Sequence, residues 1–424
     1  MSSGFALPKN LAECKALDAA DPLAWCRDEF VPLEKELIYL DGNSLGRPLR
    51  QSLAELQETA VNEWSQRLIR SWNESWIDLP EQMGDKLADL MGAAKGNVLV
   101  CDQTSVNLFK LAWAALDFNP SKPSMVTDTL QFPSDVTVLK GILAARGKGE
   151  LKFAASPDGI HGDLDALEAQ LTPDVGLICL SHTSFRTGFV WPMDEVEVMA
   201  AEHGVLVLWD LSHSAGSVHL ELQRSGAELA VGCTYKHLNG GPGAPAFLYV
   251  TRELQEELQS PIWGWLGHSS PFDFSFDHEP AVSIKRFFAG TPPILSLTPL
   301  NASLDLHLKA GPKAVAAKMQ SLTDLIIRMA DDQLAEFGVA ICSPRDPQIR
   351  GAHVSLRHPE ARVLCQSLVE QGVIPDFRAP DLLRIGVTPL YTTWTEVWQA
   401  MEILRDTLKE GRHGSAVLPE GPVT

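Results

Sequence analysis

Two residues whose side chains could do chemistry together follow apolar runs in the same stretch of sequence. Asp210 ends the run VLVLWD, and Lys236 ends the run AVGCTYK just before a glycine-rich turn, HLNGGPGAP. Short apolar runs bounded by turn signals are typical of buried parallel strands. The carboxyl ends of such strands form the rim where open α/β sheets bind ligands. We therefore expect one acid and one amine at the same rim of a sheet.

The chemistry that this pair offers depends on the acid. A lysine amine at a strand end can add to carbonyl carbons, but Lys236 taken alone is more typical of a lysine that reaches solvent. Asp210 changes that balance because a buried carboxylate needs a cationic partner, and a pyridinium nitrogen is one that enzymes use. The pair therefore favours a site for a ring-containing cofactor.

Further polar and aromatic residues fall at predicted strand ends and helix starts. Thr104 and Ser105 open a predicted helix, where a phosphate would be held by the helix N-terminus and the hydroxyls. Ser181 ends a predicted strand, and His213 lies three residues after Asp210. Phe132, just after a strand, could stack on a flat ring. Each residue has an ordinary structural explanation, but their common placement indicates one site.

Composition narrows the class of protein. The 424 residues are 45% hydrophobic and 21% charged, as in globular proteins, and the net charge of −19 argues against nucleic acid or an anionic membrane surface as partner. The seven cysteines are scattered without a C-x-x-C pair, which favours free buried thiols in a reducing compartment. MSSGFALPKN is unlike a signal peptide, and no window approaches the roughly 18 apolar residues of a membrane span. We expect a cytoplasmic protein.

The elements that must position these residues alternate from Glu81 onward. A helix over Glu81–Met91 leads to a strand over Asn97–Cys101, and strands and helices then alternate as far as Asp210. This order predicts right-handed βαβ units and a mostly parallel sheet. No G-x-G-x-x-G lies between a strand and a helix, which argues against a nucleotide-binding dehydrogenase.

The flanking regions have different patterns. Residues 9–30 and the run from Ser52 to about Ser71 are predicted to be helical. Trp72 and Trp76, four residues apart, are as consistent with one packed helix face as with a binding role. After Val250 comes PIWGWLGHSSPFDFSFDHEP, a long aromatic and proline-rich loop of the kind that is usually functional.

A second, smaller domain is predicted toward the C-terminus. Helices are expected at about residues 312–337, 360–371 and from 394, and strands at GVAIC, AHVSL, VIPDF and LLRIGV. This order favours helices on a small antiparallel sheet. The predicted organisation is an N-terminal segment, residues 1–50, packing on the small domain, a large domain, 51–300, and the small domain, 301–424.

Seven motifs, in order, make the sequence resemble the kynureninases, pyridoxal-phosphate enzymes of tryptophan catabolism. They are YLDGNSLG, QTSVNLF, FPSD, DLSHSAGSV, CTYKHLNGGPGAP, GWLGH and TPPIL, within a resemblance that runs from about Tyr39 to Tyr391. The resemblance implies the α/β fold of type I pyridoxal-phosphate enzymes, with a mostly parallel seven-stranded sheet between helices and a smaller α+β C-terminal domain. It also implies pyridoxal 5'-phosphate as cofactor, a homodimer with its active site at the subunit interface, and a place in the kynurenine pathway toward NAD biosynthesis.

The resemblance also implies roles in holding the cofactor. Lys236 would bind it covalently and move the α-proton, Asp210 would pair with the pyridinium nitrogen with Asp135 nearby, and Phe132 would stack on the ring. The remaining contacts to the cofactor and its phosphate would come from Thr104, Ser105, Ser181, His213 and Tyr235. Trp265 and Thr291 would reach the phosphate from the other subunit. That role accounts for the long aromatic loop as an interface element.

The substrate side of the site is implied in the same way. Arg384 of LLRIGV would form a forked pair with the substrate carboxylate, a geometry that guanidinium provides better than ammonium. Asn43, Trp72 and Gly290 would line the aryl pocket. The implied reaction is hydrolytic cleavage of the Cβ–Cγ bond of L-kynurenine to anthranilate and L-alanine, with Tyr235 as the acid that protonates Cβ. The sequence does not separate L-kynurenine from its 3-hydroxy analogue.

Three alternatives differ in fold or chemistry. A class V aminotransferase or a cysteine desulfurase would share the fold, but a desulfurase needs a reactive cysteine on an exposed loop, and neither Cys342 nor Cys365 is so placed. A catalytically silent scaffolding protein is disfavoured by the presence of Lys236, Asp210 and Arg384. No pattern predicts a metal site.

Overall fold

Thirteen short strands and thirteen α-helices make up the regular structure of the computed structural model, which describes residues 7–33 and 37–415. The strands are β1 Ile38–Tyr39, β2 Val98–Val100, β3 Ser124–Asp128, β4 Leu151–Ala154, β5 Val175–Ser181, β6 Leu206–Asp210, β7 Leu229–Gly232, β8 Phe247–Val250, β9 Ala340–Ile341, β10 His353–Arg357, β11 Val373–Ile374, β12 Asp376–Arg378 and β13 Leu382–Gly386.

Most of the helices lie between strands, and they pack either on the two faces of the larger sheet or on the smaller sheet. The helices are α1 Leu11–Ala20, α2 Arg50–Glu58, α3 Leu79–Met91, α4 Thr104–Phe118, α5 Pro133–Arg146, α6 Leu164–Glu168, α7 Met193–Glu202, α8 Leu222–Ser225, α9 Arg252–Glu257, α10 Ile294–Ala310, α11 Pro312–Gln333, α12 Ala361–Glu370 and α13 Trp394–Glu410. Two π-helical segments, Thr59–Arg67 and Trp72–Trp76, follow α2.

The large sheet has seven strands in the order β2-β8-β7-β6-β5-β3-β4. Every neighbouring pair of strands in it is parallel except the two pairs that contain β8. The expected mostly parallel sheet is therefore confirmed. Ser181 at the end of β5 lies opposite Asp210 at the end of β6, and Asp210 lies opposite Val231 of β7. The register thus brings the polar strand ends to one rim.

Burial on both faces explains why these strands are apolar throughout. All seven residues of β5 are buried. Ile178 and Leu180 pack into the core on one face of the sheet, while Leu177 and Cys179 pack into the core on the other. Alternate side chains of a strand point to opposite faces, so a strand covered on both sides needs an unbroken apolar run. That run is what the sequence pattern detected.

The predicted helix start at Thr104 agrees with the structure, and three other predictions were wrong. Helix α4 begins at Thr104, and α5 begins directly after Phe132. The helix expected over residues 9–30 ends at Ala20, because Asp21 precedes a proline and takes an extended conformation. A 3₁₀ segment, Ala24–Glu29, follows.

The second error concerns the strand that was expected to end at Lys236. Strand β7 ends at Gly232, because the next amide, that of Cys233, donates to Ser212 Oγ at 3.1 Å and leaves the sheet. Lys236 therefore lies in a loop four residues beyond the strand. The single strand expected at VIPDF is likewise two strands, β11 and β12, separated at Pro375, which has no amide hydrogen to donate.

The smaller sheet is antiparallel, in the order β12-β13-β10-β9, and α11, α12 and α13 pack with it in a separate core. The N-terminal segment lies against this region, since β1 pairs with β11 and Cys14 of α1 joins the same core. Helix α10 crosses the predicted boundary at residue 300 and packs on α2 and α3. The three predicted domain limits stay predictions.

Candidate active site

Lys236 lies half-buried in the loop that follows β7. Its Nζ is 3.0 Å from Nε2 of His213 and 5.9 Å from the ring centroid of Phe132. The Gly-Asn-Ser-Leu-Gly turn packs onto this loop, because the Gly46 amide donates to the Tyr235 carbonyl at 2.8 Å. A side chain at Gly46 would overlap the Lys236 carbonyl, so glycine is needed for this close approach. The turn and the lysine loop thus hold each other in place.

His213 is a neutral partner for the lysine. Burial, and then the charge of Lys236, holds the pKa of His213 well below its usual range. Its Nε2 therefore accepts from the Lys236 amine, and Nδ1 carries the remaining proton. That Nδ1 is buried and has no partner among the described residues. A buried donor of this kind fits a ligand that supplies an acceptor.

Two buried carboxyl groups, Asp210 and Asp135, face each other at the rim. Asp210 Oδ1 accepts from the backbone amide and the hydroxyl of Ser212, at 2.9 and 2.6 Å. Asp135 is 2% exposed, and its Oδ2 accepts from Gln131 at 2.8 Å. Burial, and then the charge of Asp210, raises the pKa of Asp135 well above its usual range. Asp135 is therefore held in its protonated form beside the Asp210 carboxyl group.

This acid pair suits a cationic ring nitrogen. Neither carboxyl group forms an ion pair within the chain segments 7–33 and 37–415. A buried carboxylate without a cation at hydrogen-bonding distance is unfavourable, and a pyridinium N–H would supply both the charge and the hydrogen bond. The pair therefore fits the cofactor that the sequence motifs imply.

Phe132 offers a flat surface beside this pair. Its ring is 40% exposed and contacts the Phe185 ring edge-on at a centroid distance of 5.1 Å. Ser181 lies at the same rim, where its amide donates to Gln131 and its buried hydroxyl oxygen has no hydrogen-bond partner among the described residues. An exposed aromatic face next to Lys236 fits a ring stacked between strand ends.

Two helix N-termini converge near these residues. Thr104 and Ser105 open α4, and Ser134 lies in the first turn of α5. The hydroxyl oxygens of Ser105 and Ser134 are 3.1 Å apart, so the two helix starts are adjacent. The N-termini of helices carry unpaired amides and partial positive charge, which together bind phosphate.

Arg384 lies on β13 of the smaller sheet and is 1% exposed. Its Nη1 donates to the Phe185 carbonyl at 2.6 Å, and Phe185 in turn contacts Phe132. With its amide oxygen turned toward the arginine, Asn43 accepts from Nε and Nη2 at 2.9 Å each. These contacts place the expected carboxylate-binding arginine and the Asn43 side chain beside the expected ring site.

Among the described residues, four that were expected at the site form no hydrogen bond, ion pair or ring contact with it. Trp72 packs edge-on against Trp76 at 5.6 Å, and Trp265 contacts Phe272 at 5.8 Å. Thr291 is exposed, and a side chain built at Gly290 would meet no atom within 4 Å. These four positions therefore depend on groups outside this chain if they serve the site.

Several residues that the sequence did not single out belong to this arrangement. They are Ser44, Gln131, Phe185, Ser212, His353 and Asp376. Asp376 could have been found from the sequence, because it begins the short strand that pairs with the strand of Arg384. In that pairing Asp376 lies opposite Arg384. The others are ordinary residue types, four in turns or loops and His353 in β10, and only their neighbours in space distinguish them.

The parallel sheet, the lysine after it, the paired acids and the helix N-termini define a class of protein, the type I pyridoxal-phosphate enzymes. Solved structures share this fold. The apo cysteine desulfurase of Thermococcus onnurineus NA1 matches with a TM-score of 0.77 at 18% identity, covering 97% of this chain and 100% of that one. A C-DES variant with glycine linked to its pyridoxal-phosphate cofactor matches with a TM-score of 0.77 at 20% identity, covering 88% and 97%.

Sequence relatives give the family. A kynureninase of Pseudomonas fluorescens is 40% identical over 402 residues, 93% of this chain and 95% of that protein. A kynureninase of Burkholderia pseudomallei strain 1106a is 39% identical over 406 residues, 94% and 96%. The family described as the kynureninase C-terminal domain matches residues 315–404. The chain belongs to the kynureninase family.

Three further observations concern the cysteines, metal sites and membrane spans. All seven cysteines are buried and free, so none is the exposed thiol that a desulfurase needs. Within the described part of the chain, no group of three or more His, Cys, Asp and Glu side chains could hold a metal ion. No helix in that part is both long and apolar enough to cross a bilayer.

Proposed function

We propose that this chain hydrolyses the Cβ–Cγ bond of L-kynurenine, giving anthranilate and L-alanine, with pyridoxal 5'-phosphate bound at the rim of the large sheet. The observation that carries the proposal is the joint placement of Lys236, the acid pair and Arg384 around the exposed face of Phe132. When bound, the cofactor supplies an electron-withdrawing ring that stabilises negative charge developing on the substrate.

The large-domain residues would hold the cofactor and move protons. Asp210 would accept from the ring nitrogen, and Lys236 would bind the cofactor carbonyl carbon and transfer the α-proton. Phe132 would stack on the ring. The phosphate and ring edges would be held by Thr104, Ser105, Ser181, His213 and Tyr235, with Asp135 supporting Asp210. The convergent helix starts and the unpartnered Ser181 hydroxyl support this assignment.

Tyr235 is the proposed acid that protonates Cβ. Its ring lies 5.8 Å from Lys236 Nζ, next to the reacting region. Burial raises the pKa of Tyr235, so its hydroxyl keeps its proton at neutral pH and can donate it. A tyrosine that stays neutral is suited to donate to a carbanion, which is a stronger base.

Arg384 would bind the substrate carboxylate, and Asn43, Trp72 and Gly290 would line the aryl pocket. The arginine is buried, preoriented by Phe185 and adjacent to the ring site. A fixed guanidinium gives two parallel hydrogen bonds to a carboxylate. The open space at Gly290 leaves room for an aryl group, and 3-hydroxy-L-kynurenine differs there by one hydroxyl.

A homodimer would complete the site, with Trp265 and Thr291 supplied by the second copy. The aromatic loop exposes the rings of Trp263, Phe272, Phe274 and Phe276, which is unusual for a surface that stays in water. We also place the chain in the cytoplasm, since its seven thiols are free. Light scattering of the purified protein should give twice the mass of one chain.

The deciding experiment is anthranilate fluorescence from L-kynurenine, with the 3-hydroxy analogue measured beside it and no keto acid added. Lys236→Ala is the matched control and should release no anthranilate. Borohydride reduction followed by peptide mass spectrometry should find the cofactor on Lys236. Anthranilate formation that requires a keto acid would instead indicate an aminotransferase.

A further inference from the structure

Arg384 is already paired with an acidic side chain of the same chain. Its Nε and Nη2 donate to the two carboxylate oxygens of Asp376, at 3.1 and 2.6 Å. Asp376 Oδ2 also lies 2.6 Å from Nη2 of Arg378. Asp376 is therefore shared between two guanidinium groups. When a second carboxylate engages Arg384, Asp376 keeps a partner in Arg378.

Ser44 ties these three side chains to the N-terminal turn. Its hydroxyl donates to Asp376 Oδ2 at 2.9 Å and accepts from Arg384 Nη2 at 3.0 Å and from Arg378 Nη2 at 3.2 Å. The same turn contains Asp41, whose backbone bridges Gly386 at the end of the arginine strand. Two strands of the small sheet and one turn therefore build a single charged cluster.

Asp41 is the fourth charged member of the cluster. Its Oδ1 is buried and has no hydrogen-bond partner among the described residues. Burial, and then the charge of Asp376, raises the pKa of Asp41 to about 7. The titratable and charged groups that face it are Asp376, Arg384, Arg378, Tyr39, Tyr391 and Cys365.

Three of these neighbours carry no charge near neutral pH. Burial raises the pKa of Tyr39 and Tyr391, and it raises the pKa of Cys365 to about 12, so all three stay uncharged. Arg384 is surrounded by acceptors and stays charged. Near pH 7, the charge of the cluster therefore changes through Asp41.

We propose that Asp376 and Arg378 are positioning residues of the carboxylate site and that Asp41 sets its net charge. With Asp41 protonated, two arginines and one aspartate carry one net positive charge, which matches a single carboxylate. With Asp41 ionised, the cluster is neutral and binds a carboxylate more weakly. The inference rests on the proposed function only in taking this arginine as the carboxylate site.

The test compares two ligands on the holoenzyme at pH 6 and pH 8. L-Alanine carries the carboxylate and L-alaninamide replaces it with an amide, and binding of each is measured by the change in cofactor absorbance. We expect wild type and Asp41→Asn to bind L-alanine within about twofold of each other at pH 6. At pH 8, about one unit above the pKa, wild type should bind it roughly tenfold more weakly than the variant. L-Alaninamide should show no such difference.

Matched variants separate this role from a structural one. Asp331→Asn removes the same charge at an exposed pair with Arg345 and should behave as wild type. Arg378→Gln should weaken L-alanine binding about tenfold at both pH values, and Arg378→Lys should restore most of it. Asp41→Ser, also uncharged, replaces Asp41→Asn if that variant does not fold.

Two results would overturn the proposal. One is equal loss of L-alanine affinity from pH 6 to pH 8 in wild type and in the uncharged Asp41 variants. The other is unchanged L-alanine binding in Arg378→Gln. Failure of the proposed reaction would give a different result. The enzyme would release no anthranilate, while its L-alanine binding would still follow the predicted pH dependence.

Discussion

The candidate site has two halves, the rim of the large sheet and the small domain, and their charged groups are arranged in opposite ways. At the rim of the large sheet, Asp210 and Asp135 lie together without an ion-pair partner in the described chain, and one of them holds a proton. In the small domain, Arg384 and Arg378 share Asp376 at hydrogen-bonding distance. The first half is built to receive a cation and the second to receive an anion. A zwitterionic cofactor and substrate need both.

This contrast predicts that the halves affect different kinetic constants. Groups at the large sheet contact the ring where charge develops, so their loss should lower kcat. Groups of the small domain bind the same carboxylate in the ground and transition states, so their loss should raise KM. Substitutions in each half test whether kcat and KM respond separately.

The largest effect is expected at Asp210. Asp210→Asn leaves the side-chain size unchanged and removes the charge that faces the ring nitrogen, so kcat should fall about a thousandfold, roughly 4 kcal/mol. Asp135→Asn is the matched control. Because Asp135 is already protonated, that variant should lose less than about tenfold. Equal losses in the two variants, measured by anthranilate release, would show that the charge is not localised on Asp210.

A smaller effect is expected at Arg384. Arg384→Lys keeps the charge but loses the forked N–H donors of the guanidinium group, so KM for L-kynurenine should rise about 100-fold with little change in kcat. Thermal unfolding should accompany the assay, since Asp376 loses a bidentate partner. A variant with normal KM and reduced kcat would contradict the division between the halves.

Much of the large-domain half could be predicted from sequence because its signals are local. The apolar strand that ends at Asp210 and the helix that begins at Thr104 can each be recognised from a short continuous stretch of sequence. The exact end of β7 was missed because Cys233, Thr234 and Tyr235 extend the apolar run although the backbone has already left the sheet. An apolar run indicates that residues are buried, and the residues of the loop after β7 are still at least partly buried.

The small-domain half was less predictable because its contacts join distant residues. Asp376 meets Arg384 through antiparallel strand pairing, and Ser44 reaches both from more than 300 positions away. Such pairings leave no spacing pattern in the sequence. The aromatic loop shows the same limit, since exposed rings indicate that something covers them without identifying it.

The next prediction concerns Tyr235, on the large-domain side. Tyr235→Phe removes the proposed proton donor without changing ring packing, so kcat should fall about 20- to 100-fold while KM stays within about threefold. The cofactor absorbance of the resting enzyme should be unchanged. Full activity in this variant would assign protonation of Cβ to another group.

The smallest effect is a change in stability at Asp41. Its folded-state pKa of about 7 lies above the ordinary 3.8, so between these values the folded chain holds a proton that the unfolded chain has lost. The free energy of unfolding should therefore fall as pH rises from about 4 to about 7. Asp41→Asn removes this dependence, so its stability relative to wild type should be higher at pH 8 than at pH 6, by roughly 1–2 kcal/mol. Urea unfolding at fixed protein and cofactor concentrations measures the stability difference between the variant and wild type at each pH. If that difference is the same at both pH values, Asp41 does not titrate in this range, and the charge of the small-domain half does not change with pH.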